Sequence, residues 1–134
     1  MKTLEGNLTA KGLKIALVAS RFNSFLVEQL VKGAEDAFMR LGGDGADLLL
    51  VRVPGGYEIP VVQGATAHAG LICETTARAF SQIALETGVP VTDGVVSAEN
   101  LEQAVERCGT KQGNKGFAAM QAAIEVVNAL RQLG

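Results

Sequence analysis

Short, predominantly apolar segments alternate along this chain with longer segments in which apolar residues recur every third or fourth position. Residues 14–19 (KIALVA) and 48–53 (LLLVRV) are apolar enough to form strands that are buried on both faces. Residues 91–96 (VTDGVV) are predicted to form a third strand. Because strands that alternate with helices usually pair in parallel, this order predicts an α/β fold with a parallel sheet.

The segment after the first strand has the clearest helical pattern. Its apolar residues recur every fourth position and form one stripe, at Leu26, Leu30, Ala34 and Phe38. Asn23 or Ser24 can cap the start of this helix, and the glycines at 42–43 can end it.

Three more helices are predicted further along the chain. One begins at Leu71 and stops before the Gly-Val-Pro sequence at 88–90, and a second is capped by residues 97–100 and ends at Arg107. The last carries apolar residues at helical spacing from Phe117 onwards. Between the final two helices lies a basic, glycine-rich joint at residues 109–116 (GTKQGNKG).

Composition narrows the class of protein. A length of 134 residues with 48% hydrophobic residues fits one globular domain over 1–134. The net charge is −2 and the basic residues are scattered, so no nucleic-acid partner is expected. The longest apolar runs are far shorter than a membrane span, and the start of the chain has no signal-peptide pattern.

The few metal-ligating side chains argue against a metal or cofactor site. Cys73 and Cys108 have neither metal-binding nor redox spacing, and His68 is the single histidine. Two unpaired thiols are typical of a reducing compartment, so we expect a cytoplasmic protein. The candidate site residues described next would together suit small-molecule substrates without a metal or cofactor.

Ligands of parallel sheets bind beyond the carboxyl ends of the strands, where this sequence has three conspicuous loops. In the first, Phe22 could stack on a planar ligand, although an aromatic that fills the seam between helix and sheet is the commoner case. In the second, Glu58 could accept hydrogen bonds from hydroxyl groups, or could merely be a favourable charge in a first helical turn.

Three further features have both a chemical and a purely structural interpretation. Residues 64–66 (GAT) precede a helix and could offer N–H groups to an anion, as many helix starts do without a ligand. His68 is the natural group for proton transfer, although single histidines are more often structural. Arg107 could bind a phosphate as a planar fork, or could complement a helix dipole.

Four segments together resemble the successive signatures of the lumazine synthase family. They are residues 20–23 (SRFN), 53–60 (VPGGYEIP), 64–68 (GATAH) and 101–116 (LEQAVERCGTKQGNKG). The resemblance runs nearly end to end, and the last segment is the most specific. It implies a three-layer α/β/α sandwich with a parallel, flavodoxin-like sheet. It also implies the condensation of 5-amino-6-ribitylamino-uracil with 3,4-dihydroxy-2-butanone 4-phosphate to 6,7-dimethyl-8-ribityllumazine and phosphate, a step of riboflavin biosynthesis.

The resemblance assigns the first group of residues to the ribitylamino-uracil. Phe22 would stack on its pyrimidine ring. Gly56, Tyr57 and Glu58 would hold the ribityl chain and the neighbouring edge of the ring.

The second group would act on the phosphate ester. Ala65 and Thr66 would bind the phosphate through N–H groups and a hydroxyl, and His68 would shuttle protons during phosphate elimination and Schiff-base chemistry. Arg107 from a neighbouring subunit would complete the phosphate site, with Lys115 near the ring and ribityl end. The resemblance accordingly implies pentamers, and a hollow shell of roughly sixty subunits.

This sequence departs from the family pattern at three places. Only residues 61–63 separate the Glu-Ile-Pro signature from the Gly-Ala-Thr signature, where the family has a helix and a central strand of on the order of twenty residues. Asp93 stands where an aromatic residue is usual, and Ala69 where a phenylalanine is usual. These departures leave a second interpretation open, a shell protein of lumazine synthase origin, engineered or natural, that assembles but has lost catalysis.

Overall fold

A computed structural model describes residues 1–55, 67–110 and 113–134 of the chain, with the backbone alone for 67–73. Its elements, in chain order, are β1 (Ile15–Ser20), α1 (Ser24–Arg40), a 3-10 turn (Gly45–Asp47), β2 (Leu48–Val53), α2 (Ala67–Thr87), α3 (Leu101–Arg107), β3 (Cys108–Thr110), β4 (Gly113–Asn114) and α4 (Lys115–Leu133). The predicted α/β class is confirmed.

The two first strands form a parallel pair, as the sequence predicts. The register runs from Ile15 opposite Leu48 to Ser20 opposite Val53, so both strands end at the same edge of the sheet. The N–H of Arg21 donates to the carbonyl oxygen of Val53 at 2.8 Å, which carries the pairing one residue beyond β1. This edge is where a parallel sheet offers a ligand site.

The main core lies between α1, α4 and one face of this sheet. Its fully buried members include Phe38 of α1 and Ile124 of α4, and Ile15 and Leu17 of β1 pack against them. The two helices cross so closely that the backbone of Gly116 lies against the carbonyl group of Leu30. This crossing fixes the helix pair on which β1 rests.

The opposite face of the sheet is open, which contradicts the prediction that both strands are buried on both sides. Val18, Leu49 and Val51 are 45%, 60% and 38% exposed. In the described part of the chain α2 makes no extensive contact with this sheet. Its Phe80 lines a groove together with Val18, but Leu49 and Val51 stay exposed. An apolar run in the sequence indicates that a strand is buried, but it does not indicate whether the residues that bury it belong to the same chain.

The prediction of a third strand at residues 91–96 is also wrong. Residues 91–96 belong to no strand of the described structure, although Val95 and Val96 are buried. Asp93 Oδ1 accepts the N–H of Val95 at 2.7 Å, and Thr92 Oγ1 donates to the carbonyl of Ala119 at 2.9 Å. A strand requires a neighbouring strand that bonds its N–H and C=O groups. Within the described ranges β1 pairs with β2 alone, so residues 91–96 do not join this sheet.

Described residues line an apolar groove of about 380 Å³ along the unpaired edge of β1. Its walls come from β1, α1, α4, the segment 89–94 and Phe80 of α2. The groove therefore separates β1 from the segment that was predicted as the third strand.

The predicted helix boundaries are mostly confirmed. Asn23 is the N-cap of α1 with φ 52°, and Gly42 ends the helix with φ 92°. Asn100 Oδ1 caps α3 by accepting the N–H of Gln103 at 2.9 Å. Helix α2 begins at Ala67, four residues before the predicted start at Leu71. No helix in the described part of the chain is both long and apolar enough to cross a membrane.

The crossing of α1 and α4 gives a stability prediction. Gly116→Ala would place a Cβ onto the Leu30 carbonyl and push the helices apart, so we expect it to destabilise the fold by about 1–3 kcal/mol. Gly94→Ala is the control, since its Cβ would meet the Ala119 side chain at an ordinary 3.5 Å. Urea unfolding of both variants measures the difference, and equal stabilities would mean that the close crossing is not a constraint.

Candidate functional site

The turn after β1 presents an aromatic ring at the carboxyl edge of the sheet. Ser20 is fully buried, and its Oγ accepts the N–H of Phe22 at 2.9 Å. Asn23 then takes the left-handed conformation that starts α1. The Phe22 side chain is left 65% exposed, so the interpretation that it fills the seam between helix and sheet is wrong. The ring is available to stack on a flat ligand.

The loop after β2 starts at the same edge. Because β1 and β2 are parallel and in register, Pro54 and Gly55 follow a strand end that lies beside the turn of Phe22. The next three predicted site residues, Gly56, Tyr57 and Glu58, lie outside the described residues.

Helix α2 starts directly after residues 64–66, the segment predicted to bind phosphate. The helix begins at Ala67, so Ala65 and Thr66 come immediately before its first turn and His68 belongs to that turn. A helix start has N–H groups without intrahelical partners, which is favourable for an anion. Ala65, Thr66 and the side chain of His68 lie outside the described residues, and residues 61–63 do as well.

Arg107 and Lys115 are brought together by a small hairpin that the sequence did not predict. Strands β3 and β4 pair antiparallel, with Cys108 opposite Asn114. Arg107 immediately precedes one member of this pair and Lys115 immediately follows the other. The two basic side chains therefore start from neighbouring backbone positions, one at the end of α3 and one at the start of α4.

Both interpretations of Arg107 have support in the structure. The side chain belongs to the last turn of α3, where a positive charge complements the helix dipole. Its Nη1 also donates to the carbonyl of Ser97, which orients the guanidinium. A guanidinium carries five N–H donors, so this single bond leaves it able to bind an anion.

Sequence reasoning missed Asn114, which joins this hairpin to its surroundings. Its Oδ1 accepts the N–H of Phe117 at 3.0 Å and so caps α4. Its Nδ2 donates to the carbonyl of Gln29 in α1 at 2.8 Å and to that of Cys108 at 3.4 Å. An asparagine directly before a helical pattern was the available signal for the cap, but the bond to α1 spans 85 residues and has none.

The turn that carries Phe22 and the hairpin between Arg107 and Lys115 lie at different positions along α1. Phe22 lies two residues before the helix starts at Ser24. Asn114 attaches at Gln29, five residues after Ser24, or about 7.5 Å along the axis at 1.5 Å per residue. Across the described ranges, no group of three or more His, Cys, Asp or Glu side chains could hold a metal ion.

The fold and these positions define an α/β protein with candidate ligand groups at the carboxyl edge of a parallel sheet and on a basic hairpin. The chain belongs to the 6,7-dimethyl-8-ribityllumazine synthase family, whose model matches residues 12–62 and 61–131. The parallel sheet with its helices is consistent with the flavodoxin-like fold that the resemblance implied.

Individual relatives match along the whole chain. The 6,7-dimethyl-8-ribityllumazine synthase of Chlorobaculum parvum is 41% identical over 154 residues, which covers 100% of this chain and 99% of the relative. Those of Campylobacter hominis and Aquifex aeolicus are each 43% identical, over 154 and 153 residues, with 99% of both chains covered. These alignments are about twenty positions longer than the 134 residues of this chain.

Cys108, which follows Arg107, gives a prediction on pH dependence. The residue is 4% exposed, and burial raises the pKa of its thiol because a thiolate would lose its hydration. Above the ordinary thiol pKa of about 8.5, the unfolded chain releases this proton while the folded chain keeps it. The stabilising contribution is thus complete at neutral pH and is lost as the pH rises, by up to about 1.4 kcal/mol per pH unit.

The measurement compares the free energy of unfolding of the parent and of Cys108→Ala at pH 7 and pH 9.5. The parent is expected to lose more stability than the variant, because all other titrating groups are common to both. Equal losses would show that the folded thiol ionises normally.

Proposed function

We propose that this chain catalyses the condensation of 5-amino-6-ribitylamino-uracil with 3,4-dihydroxy-2-butanone 4-phosphate to 6,7-dimethyl-8-ribityllumazine, with release of phosphate. The observation that carries this proposal is the match to the family over essentially the whole chain. In this reaction an amine of the uracil forms a Schiff base with the ketone and releases water. Elimination of phosphate then leaves an enol that tautomerises to a second ketone. The second amine adds to that ketone and loses water, which closes the ring.

For the ribitylamino-uracil we propose the carboxyl edge of the sheet as the binding site. Phe22 stacks on the pyrimidine, and its 65% exposure supports this role. Gly56, Tyr57 and Glu58 bind the ribityl chain and the ring edge. The parallel register supports their placement, because the loop that carries them leaves β2 beside the turn of Phe22.

For the phosphate ester we propose the start of α2. Ala65 and Thr66 supply N–H groups and a hydroxyl to the phosphate, where the helix dipole also favours negative charge. His68 in the first helical turn transfers protons during elimination and Schiff-base formation, a role typically worth about 10²–10⁴-fold in rate.

Arg107 and Lys115 serve the site of a neighbouring subunit in this proposal. The two residues start from neighbouring backbone positions, which supports their acting together on one site. Assembly is supported by the large apolar side chains left exposed, among them Leu49 of the open sheet face and Leu130 of α4. We propose pentamers and a shell of roughly sixty subunits with closed symmetry in the cytoplasm.

The alternative of a shell protein without activity is not favoured by the relatives reported above, whose names are those of synthases. It concerns a segment that this chain lacks relative to them. The two segments matched by the family model meet at residues 61–62, and the alignments with relatives are about twenty positions longer than this chain. We propose that a helix and a strand are missing there. The apolar groove along the unpaired edge of β1 supports this, because a strand in that place would join β1 to residues 91–96.

The division of the site between two substrates is tested with two variants. Arg107→Lys replaces a planar fork with a point charge, so it is expected to raise KM for the butanone phosphate more than KM for the uracil. Phe22→Ala is expected to do the reverse, because it removes ring stacking worth about 0.5–1.5 kcal/mol, or roughly two- to thirteenfold in KM. Steady-state kinetics with each substrate varied in turn measures both effects.

The controls are Arg131→Lys and Phe25→Ala. Arg131 is in the last turn of α4, as Arg107 is in that of α3, and the Phe25 ring is 60% exposed. Both controls should leave the two KM values within about twofold of the parent. Equal effects of Arg107→Lys on both substrates would contradict the division, and a parent protein that makes no product would favour the inactive shell.

A further inference from the structure

Asn114 makes more hydrogen bonds than a helix cap requires. The cap itself is the bond from the N–H of Phe117 to Oδ1 at 3.0 Å. The amide nitrogen is directed elsewhere, to the carbonyl oxygens of Gln29 and Cys108 at 2.8 and 3.4 Å. One side chain therefore joins the start of α4, the first residue of β3 and the middle of α1.

Two residues of α1, Gln29 and Gly33, accommodate this amide. Gly33 lies one turn after Gln29, and a Cβ at position 33 would overlap the side-chain amide of Asn114. The absence of a side chain at Gly33 thus makes the close approach possible. The carbonyl of Gln29 is the hydrogen-bond acceptor at the same place.

We propose that Asn114 is a positioning residue, which holds Lys115 and the chain after Arg107 against α1 through an amide seated at Gly33. Asn114 and Lys115 are consecutive, and Asn114 is paired with Cys108, which follows Arg107. The two basic residues are thereby fixed to the same helix by one side chain. We call the bonds from Asn114 Nδ2 to Gln29 and Cys108 the tether. This inference rests on the proposed function, since it gives the tether a role in binding the two substrates.

Only an amide side chain of this length satisfies all three partners. The bond to Phe117 requires an acceptor, and the bonds to Gln29 and Cys108 require donors. Aspartate would keep the acceptor and remain a good N-cap, but it has no donor and would bring a carboxylate oxygen towards two carbonyl groups. Asn114→Asp is therefore expected to remove the tether and to keep the helix cap.

The tether matters because Arg107 and Lys115 have long side chains on a short hairpin. Binding an anion with mobile groups costs conformational entropy, which a fixed backbone reduces. Loss of the tether should therefore weaken substrate binding and raise KM for both substrates, with kcat little changed because the proton-transfer group is elsewhere.

The experiment compares Asn114→Asp and Gly33→Ala, which disturb the tether from its two sides, with Asn128→Ala. Asn128 is a matched control, because it is a buried asparagine of α4 whose Nδ2 also donates to two carbonyl oxygens, those of Asn7 and Thr9, at 2.9 and 2.8 Å. Two measurements are made on the assembled protein: steady-state kinetics, and the rate of tryptic cleavage after Arg107 and Lys115 under native conditions.

Both tether variants are expected to raise KM for the two substrates on the order of tenfold, with kcat within about twofold, and to speed cleavage at Arg107 and Lys115. Asn128→Ala should lower stability without either effect. If the tether variants match Asn128→Ala in KM and in cleavage, the inference is overturned, whichever of the two variants folds better. If the parent makes no product while the tether variants are cleaved faster than the control, the proposed function fails and the tether stands.

Discussion

The close crossing of α1 and α4 is the contact on which the rest of the described structure depends. Gly116 allows the helices to approach until its backbone meets the Leu30 carbonyl, and Phe38 and Ile124 fill the space beside the crossing. Strand β1 rests on this helix pair and β2 pairs with β1. The same crossing brings the start of α4 beside α1, so the position of Lys115 follows from the packing of the core.

The sequence predicted the elements whose signals are local. The apolar stripe of α1, its glycine end and the strand β1 were found because periodicity and turn chemistry act over a few residues. The segment 91–96 was wrongly predicted as a strand, since strand formation depends on a neighbour that the described chain does not place there. The exposure of Leu49 and Val51 was missed for the same reason, because cover is a property of packing between distant elements.

The candidate site was predictable to a similar extent. Phe22 at the end of β1 followed from the rule that parallel sheets bind ligands at their carboxyl edge, and the structure adds that its ring is exposed. The bond from Asn114 to Gln29 was not predictable, because it spans 85 residues. The hairpin that joins Arg107 to Lys115 is local, but its glycine-rich sequence was interpreted as a joint and not as a strand pair. Family membership supplied the substrates, which no local pattern in the chain specifies.

The proposal that each site is built from two subunits is tested most directly by co-assembly of a His68→Ala chain with an Arg107→Ala chain. Each variant alone lacks one group at every site, so both homogeneous assemblies are expected to be strongly slowed. In a random equal mixture, about one site in four receives His68 from one chain and Arg107 from its neighbour, so activity should rise to roughly a quarter of the parental rate. If the mixture never exceeds the mean of the two variants, each site lies within a single subunit and the shared-site proposal is contradicted.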